Sequence, residues 1–201
     1  PISDELFDSI CNTKNVEEAS LYVKLSDWGD TVYYNNTSLS SSYIYGIDEN
    51  YFSTCGYTIY KGRGFHQSDY DKFRKVVIID ENTMNSLFPG ENPIDKVIDI
   101  NNETYTVIGV AKKSDEFKPT INSVDDYYSY MDNSGCALYI PLTSWPNSFY
   151  FDTPQSVVVR AANTDVMNKV GNDIATLLND SVVSSSTYTY KSDSALNDLK
   201  S

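Results

Sequence analysis

The pattern of apolar and polar positions predicts a strand–helix–strand unit near the start of the chain. Residues 3–10 combine a cap-type serine, an acidic first turn and one apolar face, which is typical of a short helix. Apolar residues alternate with polar ones over 19–28, 31–36 and 41–47, which predicts three strands. A short helix follows, and we expect Gly56 to end it, because glycine readily adopts a left-handed C-cap conformation.

A second unit of the same kind is predicted at the end of the chain. Three consecutive valines within 156–162 indicate a strand that is buried on both faces. Residues 164–180 place their apolar side chains on one stripe and predict an amphipathic helix, capped by Thr164 or Asp165. A last strand is predicted at 187–192, followed by a helical tail.

The middle of the chain, residues 62–154, has a different pattern and is interpreted as an inserted, mostly β subdomain. A buried strand at 75–80 leads into a short helix, and we expect Asp80 to cap that helix. Two strands form a hairpin across Asn101 and Asn102. The polar stretch 114–135 predicts a long exposed loop.

These patterns together predict the α+β class and two subdomains. Residues 1–61 and 155–201 form one subdomain of strand–helix–strand units, and residues 62–154 interrupt it. With 201 residues and 40% hydrophobic residues, the chain is large enough to bury a substantial core.

Charge and tyrosine content narrow the function classes. The net charge of −13 argues against nucleic acid and against an anionic membrane surface, because both require clustered lysine and arginine. The 17 tyrosines are interpreted as part of a half-buried β-sheet surface. A face that contacts sugars or peptides is the second interpretation.

The sequence predicts no catalytic, cofactor or metal site. The one histidine, His66, is interpreted as a surface or turn residue, and no P-loop or nucleophile motif is present. The three cysteines lack metal-ligand spacing, and their pairing stays open, although an odd count leaves at least one thiol free. A calcium site at Asp69 and Asp71 is the weaker alternative to a solvated acidic surface. A solvated acidic surface is the prediction for all three close carboxylate pairs, Asp69/Asp71, Asp80/Glu81 and Asp125/Asp126. Asp80 is also expected to cap a helix.

Five ordered segments carry a family resemblance: GIDENYF (46–52), GRGF (62–65), KVVIIDENTMNSLFPGENPIDKVIDI (75–100), YTVIGV (105–110) and LYIPL (138–142). In GRGF, the glycines are expected to permit a turn, and Arg63 to pair with a carboxylate that locks the two subdomains. In this order and spacing, the segments resemble the extracytoplasmic domain of MacB-type ABC transporter permeases. The resemblance implies a porter-like subdomain and a mostly β, sabre-like insertion.

The resemblance also implies a function. Such domains bind no nucleotide and couple cytoplasmic ATP hydrolysis to export or mechanical work outside the membrane, with peptides, antibiotics, toxins or lipoproteins as cargo. The implied partners are a cognate ABC ATPase, a second permease copy and a membrane-fusion or extracellular protein. The implied location is the extracytoplasmic side of the cell membrane, and membrane helices are expected to flank this segment. Tyr127, Tyr128 and Tyr130 are the candidate partner contacts. A secreted carbohydrate- or peptide-binding module is the alternative function, and the tyrosine content supports it.

Overall fold

The computed structural model describes residues 2–116, 118–122, 135–150, 153–181 and 193–194. Its helices are α1 Asp4–Cys11, α2 Tyr51–Cys55, α3 Gln67–Asp71, α4 Glu81–Leu87 and α5 Met167–Asp180, with 3-10 helices at Leu142–Asn147 and Thr164–Val166. Its strands are β1 Val16–Asp27, β2 Val32–Tyr34, β3 Thr37–Ser38, β4 Ser42–Ile47, β5 Tyr57–Gly62, β6 Val76–Asp80, β7 Val97–Ile100, β8 Glu103–Lys113, β9 Thr120–Asn122, β10 Cys136–Pro141, β11 Ser156–Ala161 and β12 Asp193–Ser194.

All of these strands belong to one mixed sheet. Its order is β12-β9-β11-β1-β4-β10-β6-β8-β7-β2-β3, and β5 pairs with β8 beside this path. Two pairs, β4 with β10 and β6 with β8, are parallel, and the remaining pairs are antiparallel. Helices pack on a mixed sheet, so the predicted α+β class is confirmed.

Three apolar clusters form the core. The first, around Ile44, Leu138 and Trp145, lies on one face of the central strands. The second joins α1 and α5 to β11 through Val157 and Val159. The third is rich in tyrosine and includes Val158 and α2. The three valines thus contribute to two clusters, which confirms that β11 is buried on both faces.

Most predicted helix boundaries are confirmed by their caps. The Ser3 side chain accepts a hydrogen bond from the Leu6 backbone N–H at 3.1 Å, and Asp80 Oδ1 accepts one from the Thr83 N–H at 2.8 Å. Gly56 has φ +79° and ends α2. The cap predicted at Thr164 or Asp165 was wrong. Asn163 Oδ1 accepts the hydrogen bond from the Asp165 N–H, because a 3-10 turn precedes α5.

Two predicted segments differ in the structure. The strand expected at 31–36 is shorter, because Asn35 has φ +52° and turns the chain between β2 and β3. The stretch 114–135 is not entirely an exposed loop. Its residues 120–122 form β9, which pairs with β11 and buries Ile121. The strand predicted at 187–192, the helical tail beyond Ser194 and all of 123–134 lie outside the described residues.

The division into 1–61 plus 155–201 and 62–154 stays a prediction. Strand β4, from the first range, pairs in parallel with β10 of the insertion, and β5 pairs with β8. Backbone hydrogen bonds therefore join the two predicted subdomains into a continuous sheet. At one end of that sheet, α1 and α5 share an apolar cluster, and β12 extends the sheet beyond β9.

Candidate functional site

The GRGF segment is explained by a close approach of two backbones. Gly62 of β5 stands opposite Gly109 of β8 in the strand register. A Cβ added to Gly62 would overlap the Ile108 carbonyl oxygen, and one added to Gly109 would overlap the Arg63 carbonyl oxygen. Gly62 also has φ +70°, a conformation that other residues adopt only with strain. The predicted glycine turn is confirmed at Gly62, whereas Gly64 has ample space.

Arg63 does pair with a carboxylate, and its partner is Asp69 in α3. Arg63 NH1 donates to Asp69 Oδ2 at 2.8 Å, and Arg74 NH1 lies 3.4 Å from Oδ1. The His66 backbone N–H also donates to Oδ2 at 2.8 Å, so Asp69 closes the N-terminal turn of α3. All these residues belong to the predicted insertion. The expectation that Arg63 locks the two subdomains together was therefore wrong.

The prediction that Asp69 belongs to a solvated acidic surface was wrong, because its carboxylate is fully buried. Burial by itself would raise its pKa, but the hydrogen bonds from Arg63 and the His66 N–H outweigh that effect and hold the pKa below its usual value. Its oxygens are bound to arginine rather than free for calcium. His66 itself is exposed, as the sequence predicts.

We expect Asp69→Asn to lower the free energy of unfolding by about 2 kcal/mol at pH 7, because it loses charge-assisted hydrogen bonds. The folded-state pKa of Asp69 is depressed, so its ionised form stabilises the fold above the unfolded pKa. That contribution is lost as the pH falls through the folded pKa. Urea unfolding of both proteins between pH 7 and pH 2 should show the difference shrinking below pH 4 or so.

The exposed Asp71 in the same helix provides the matched control. Asp71→Asn should change the free energy of unfolding by less than about 0.5 kcal/mol, because its carboxylate is exposed and, among the described residues, accepts a side-chain hydrogen bond from Gln67 alone. A loss from Asp69→Asn that stays constant across the pH range would contradict the role of its charge.

The Asp48 carboxylate of the GIDENYF segment is also structural. It accepts hydrogen bonds from Ser20 Oγ at 2.6 Å, the Leu21 N–H at 2.8 Å and the Asn50 N–H at 3.0 Å. Burial raises its pKa, and these hydrogen bonds offset part of the rise. Asp48 thereby ties the end of β4 to β1. Gly46 leaves room for the Trp145 ring, and β4 continues past it to Ile47.

A tyrosine-lined cleft is the candidate binding site of the described chain. It has a volume of about 290 Å³ and shares Tyr45, Tyr57 and Tyr139 with the third, tyrosine-rich core cluster. Neighbouring strands supply its floor, since Tyr45 of β4 stands beside Tyr139 of β10 in the parallel register. The rings of these two residues stack at 5.1 Å. The lining also includes Tyr43, Tyr57, Asp80, Glu81, Asn82, Lys112 and Lys113.

The floor of this cleft is uncharged at neutral pH. Burial raises the pKa of Tyr57 to about 12 and the pKa of Tyr139 well above its usual value. Burial also raises the pKa of Asp80, and hydrogen bonds from Thr83 counteract part of that rise. The cleft therefore combines neutral aromatic rings with charged side chains at its edge, and no arrangement for nucleophilic catalysis accompanies them among the described residues.

The predicted site residues are only partly placed. Tyr127, Tyr128 and Tyr130 lie outside the described residues, as do Asp125 and Asp126. Cys11, Cys55 and Cys136 are all free thiols. The cleft was missed in the sequence, although alternating tyrosines in 41–47 placed two rings on one face of β4. The neighbouring strands could not be identified from that pattern.

Within the described part of the chain, no group of three or more His, Cys, Asp or Glu residues could hold a metal ion. Among those residues there is likewise no helix with the length and apolar character needed to span a bilayer.

Comparison with known proteins shows the family. The model of the MacB-like periplasmic core domain matches residues 1–177. YvrN, an ABC transporter permease of Bacillus subtilis (strain 168), is 28% identical over 179 residues, which are 89% of this chain and 41% of YvrN. The macrolide export ATP-binding/permease protein MacB of Neisseria gonorrhoeae is 39% identical over 87 residues, 43% of this chain and 13% of MacB. The chain thus spans less than half the length of these relatives.

Solved structures show the same fold. The extracellular domain of YknZ, a noncanonic ABC-type transporter from Gram-positive bacteria, gives a TM-score of 0.68 at 19% identity and covers 95% of this chain and 88% of its own. The periplasmic region of MacB from Actinobacillus actinomycetemcomitans gives 0.67 at 20% identity and covers 100% of this chain and 82% of its own. With the family model matching most of its length, the chain belongs to the family of MacB-like periplasmic core domains.

Proposed function

We propose that this chain is the extracytoplasmic domain of an ABC transporter permease and couples cytoplasmic ATP hydrolysis to export or mechanical work outside the membrane. The family match over residues 1–177 is the observation that carries this proposal. The permease works with a cognate ABC ATPase and as a pair of copies. Peptides, antibiotics, toxins or lipoproteins are its cargo classes, and relatives named for macrolide export support the antibiotic class.

The continuous sheet supports a mechanical role. Helices α1 and α5 share one apolar cluster at one end of the sheet, while β7, β2 and β3 form the other end. The path from β12 to β3 follows roughly 50 Å of hydrogen-bonded strands at about 4.8 Å per strand. A displacement applied at α1 and α5 would therefore move the far end as one body, since close-packed interiors transmit strain.

Distance measurements on the full-length permease with its ATPase test this role and need no cargo. Spin labels are placed on the exposed Cys11 and on Val97→Cys in β7, with Cys55 and Cys136 replaced by alanine. On trapping the nucleotide-bound state, distances between the two copies should change. The Cys11-to-97 distance within a copy should stay constant. Unchanged distances between copies in all nucleotide states would refute the coupling.

We propose Tyr127, Tyr128 and Tyr130 as partner contacts of the same domain. Exposed aromatic residues commonly anchor protein interfaces. In the full-length transporter, replacing the three tyrosines by alanine should abolish the protection that it gives cells against its cargo, without lowering expression. Full protection would show that these side chains are not contacts. A wider deletion must spare residues 120–122, because β9 belongs to the sheet.

The alternative function, a secreted binding module, has less support. The tyrosine-lined cleft is compatible with binding, but the family match assigns the chain to permease domains. Ligand binding at the cleft would therefore be a property of the permease domain.

A further inference from the structure

The tyrosine-lined cleft holds exposed charges of both signs. Glu81, at the start of α4, and Lys112 and Lys113, at the end of β8, are exposed and line the cleft. Asp80 of β6 is in register with Ala111 of β8, so these charged residues lie on adjacent strand ends. Within the described ranges, none of the three forms a salt bridge. A ligand could therefore contact all three without breaking an ion pair between described residues.

The floor beneath these charges favours an apolar or aromatic group. The rings of Tyr45 and Tyr57 are half-buried in the cleft lining, and the buried Tyr139 ring supports them at centroid distances of 5.1 Å and 6.0 Å. Aromatic faces accept both aromatic and aliphatic side chains, and an offset pair contributes about 0.5–1.5 kcal/mol beyond its buried area. The floor is a fixed platform, because packing against α2 holds the rings.

Cleft size limits the ligand. A volume of about 290 Å³ lies at the lower end of ligand sites, which usually measure roughly 300–1,000 Å³. Two or three amino-acid residues fill such a space, whereas a large macrocycle does not. A ligand with one positive end, one negative end and an apolar side chain matches the rim and the floor together.

We propose that this cleft binds a short dipolar peptide. The peptide carboxylate lies at Lys112 and Lys113, its ammonium group lies at Glu81, and an apolar or aromatic side chain packs on the half-buried rings of Tyr45 and Tyr57. Binding is a property of this chain alone, so it can be present or absent independently of the coupling role proposed above.

The test uses the 201-residue chain and the dipeptide leucyl-phenylalanine. Titration followed by NMR shifts of backbone amides, with calorimetry in parallel, should show saturable binding with shifts at 112–113 and 137–139. The same dipeptide with an acetylated amine and an amidated carboxylate should bind at least tenfold more weakly. Equal binding of the free and blocked dipeptides, or no saturation at 20 mM, overturns the proposal. So does saturable binding of erythromycin at these residues without dipeptide binding.

Charge-changing variants distinguish the contact made by the peptide carboxylate from the contact made by its ammonium group. Lys112→Glu with Lys113→Glu should weaken binding of the free dipeptide at least tenfold. A control with the same charge change, Lys14→Glu with Lys72→Glu, alters exposed lysines away from the cleft and should leave binding unchanged. Glu81→Gln should weaken binding of the dipeptide with an amidated carboxylate, because that ligand keeps only its free amine. The same variant should leave binding of the dipeptide with an acetylated amine unchanged. Equal losses in cleft and control variants would show non-specific electrostatic attraction and refute the site.

Discussion

Val158→Asp is expected to unfold the chain at room temperature. Val158 is 1% exposed in β11, which is hydrogen-bonded on both sides by β1 and β9. Its neighbours in the tyrosine-rich cluster are apolar or aromatic, and Arg160, two residues along the strand, is already paired with Glu17 and Glu18. A carboxylate at position 158 would therefore be desolvated at a large cost. The cost exceeds about 4 kcal/mol, which is comparable to the whole stability of many domains. Circular dichroism and urea unfolding measure the loss.

The control places the same side chain on an exposed strand position. Val97 is 51% exposed in β7, and Val97→Asp should shift the free energy of unfolding by less than about 1 kcal/mol. A native-like melting curve for Val158→Asp would show that β11 is not central to the fold. Similar losses from both variants would mean that the added charge, rather than its burial, determines the effect.

Gly62→Ala is expected to be the most damaging single methyl addition in the family segments. The new Cβ would overlap the Ile108 carbonyl oxygen, and the left-handed φ of +70° adds strain. Backbone atoms cannot move aside as a flexible side chain can, so β5 and β8 must separate where Arg63 N–H donates to the Ile108 oxygen at 2.9 Å. We expect a loss of about 3 kcal/mol or more in the free energy of unfolding.

Gly64, two residues further along, provides the matched control. A Cβ on Gly64 would meet only Ile59 Cγ1 at 3.7 Å, and its φ is not left-handed. Gly64→Ala should therefore change the unfolding midpoint in urea very little. If both alanine variants lose the same stability, the close approach of the two strands is not what requires glycine in this segment.

Local pattern determined much of this protein. Features that depend only on residues close together in the sequence could be predicted. These are the helix caps at Ser3 and Asp80, the left-handed Gly56, and the hairpin across Asn101 and Asn102. The burial of 156–161 followed from three adjacent valines, since a strand that is apolar on both sides has no face for water. The ordered segments also indicated the family.

Tertiary structure alone decided the role of residues that meet partners far along the chain. Asp69 reads as one of many surface carboxylates, and only its burial beside Arg63 and Arg74 makes it an anchor. Residues 120–122 look like loop, and pairing with β11 makes them a strand, because sheet hydrogen bonds are not encoded by local propensity. The cleft follows the same rule. Side chains from β4, β5, β6, β8 and β10 line it, and strand order depends on packing of the whole sheet rather than on any one segment.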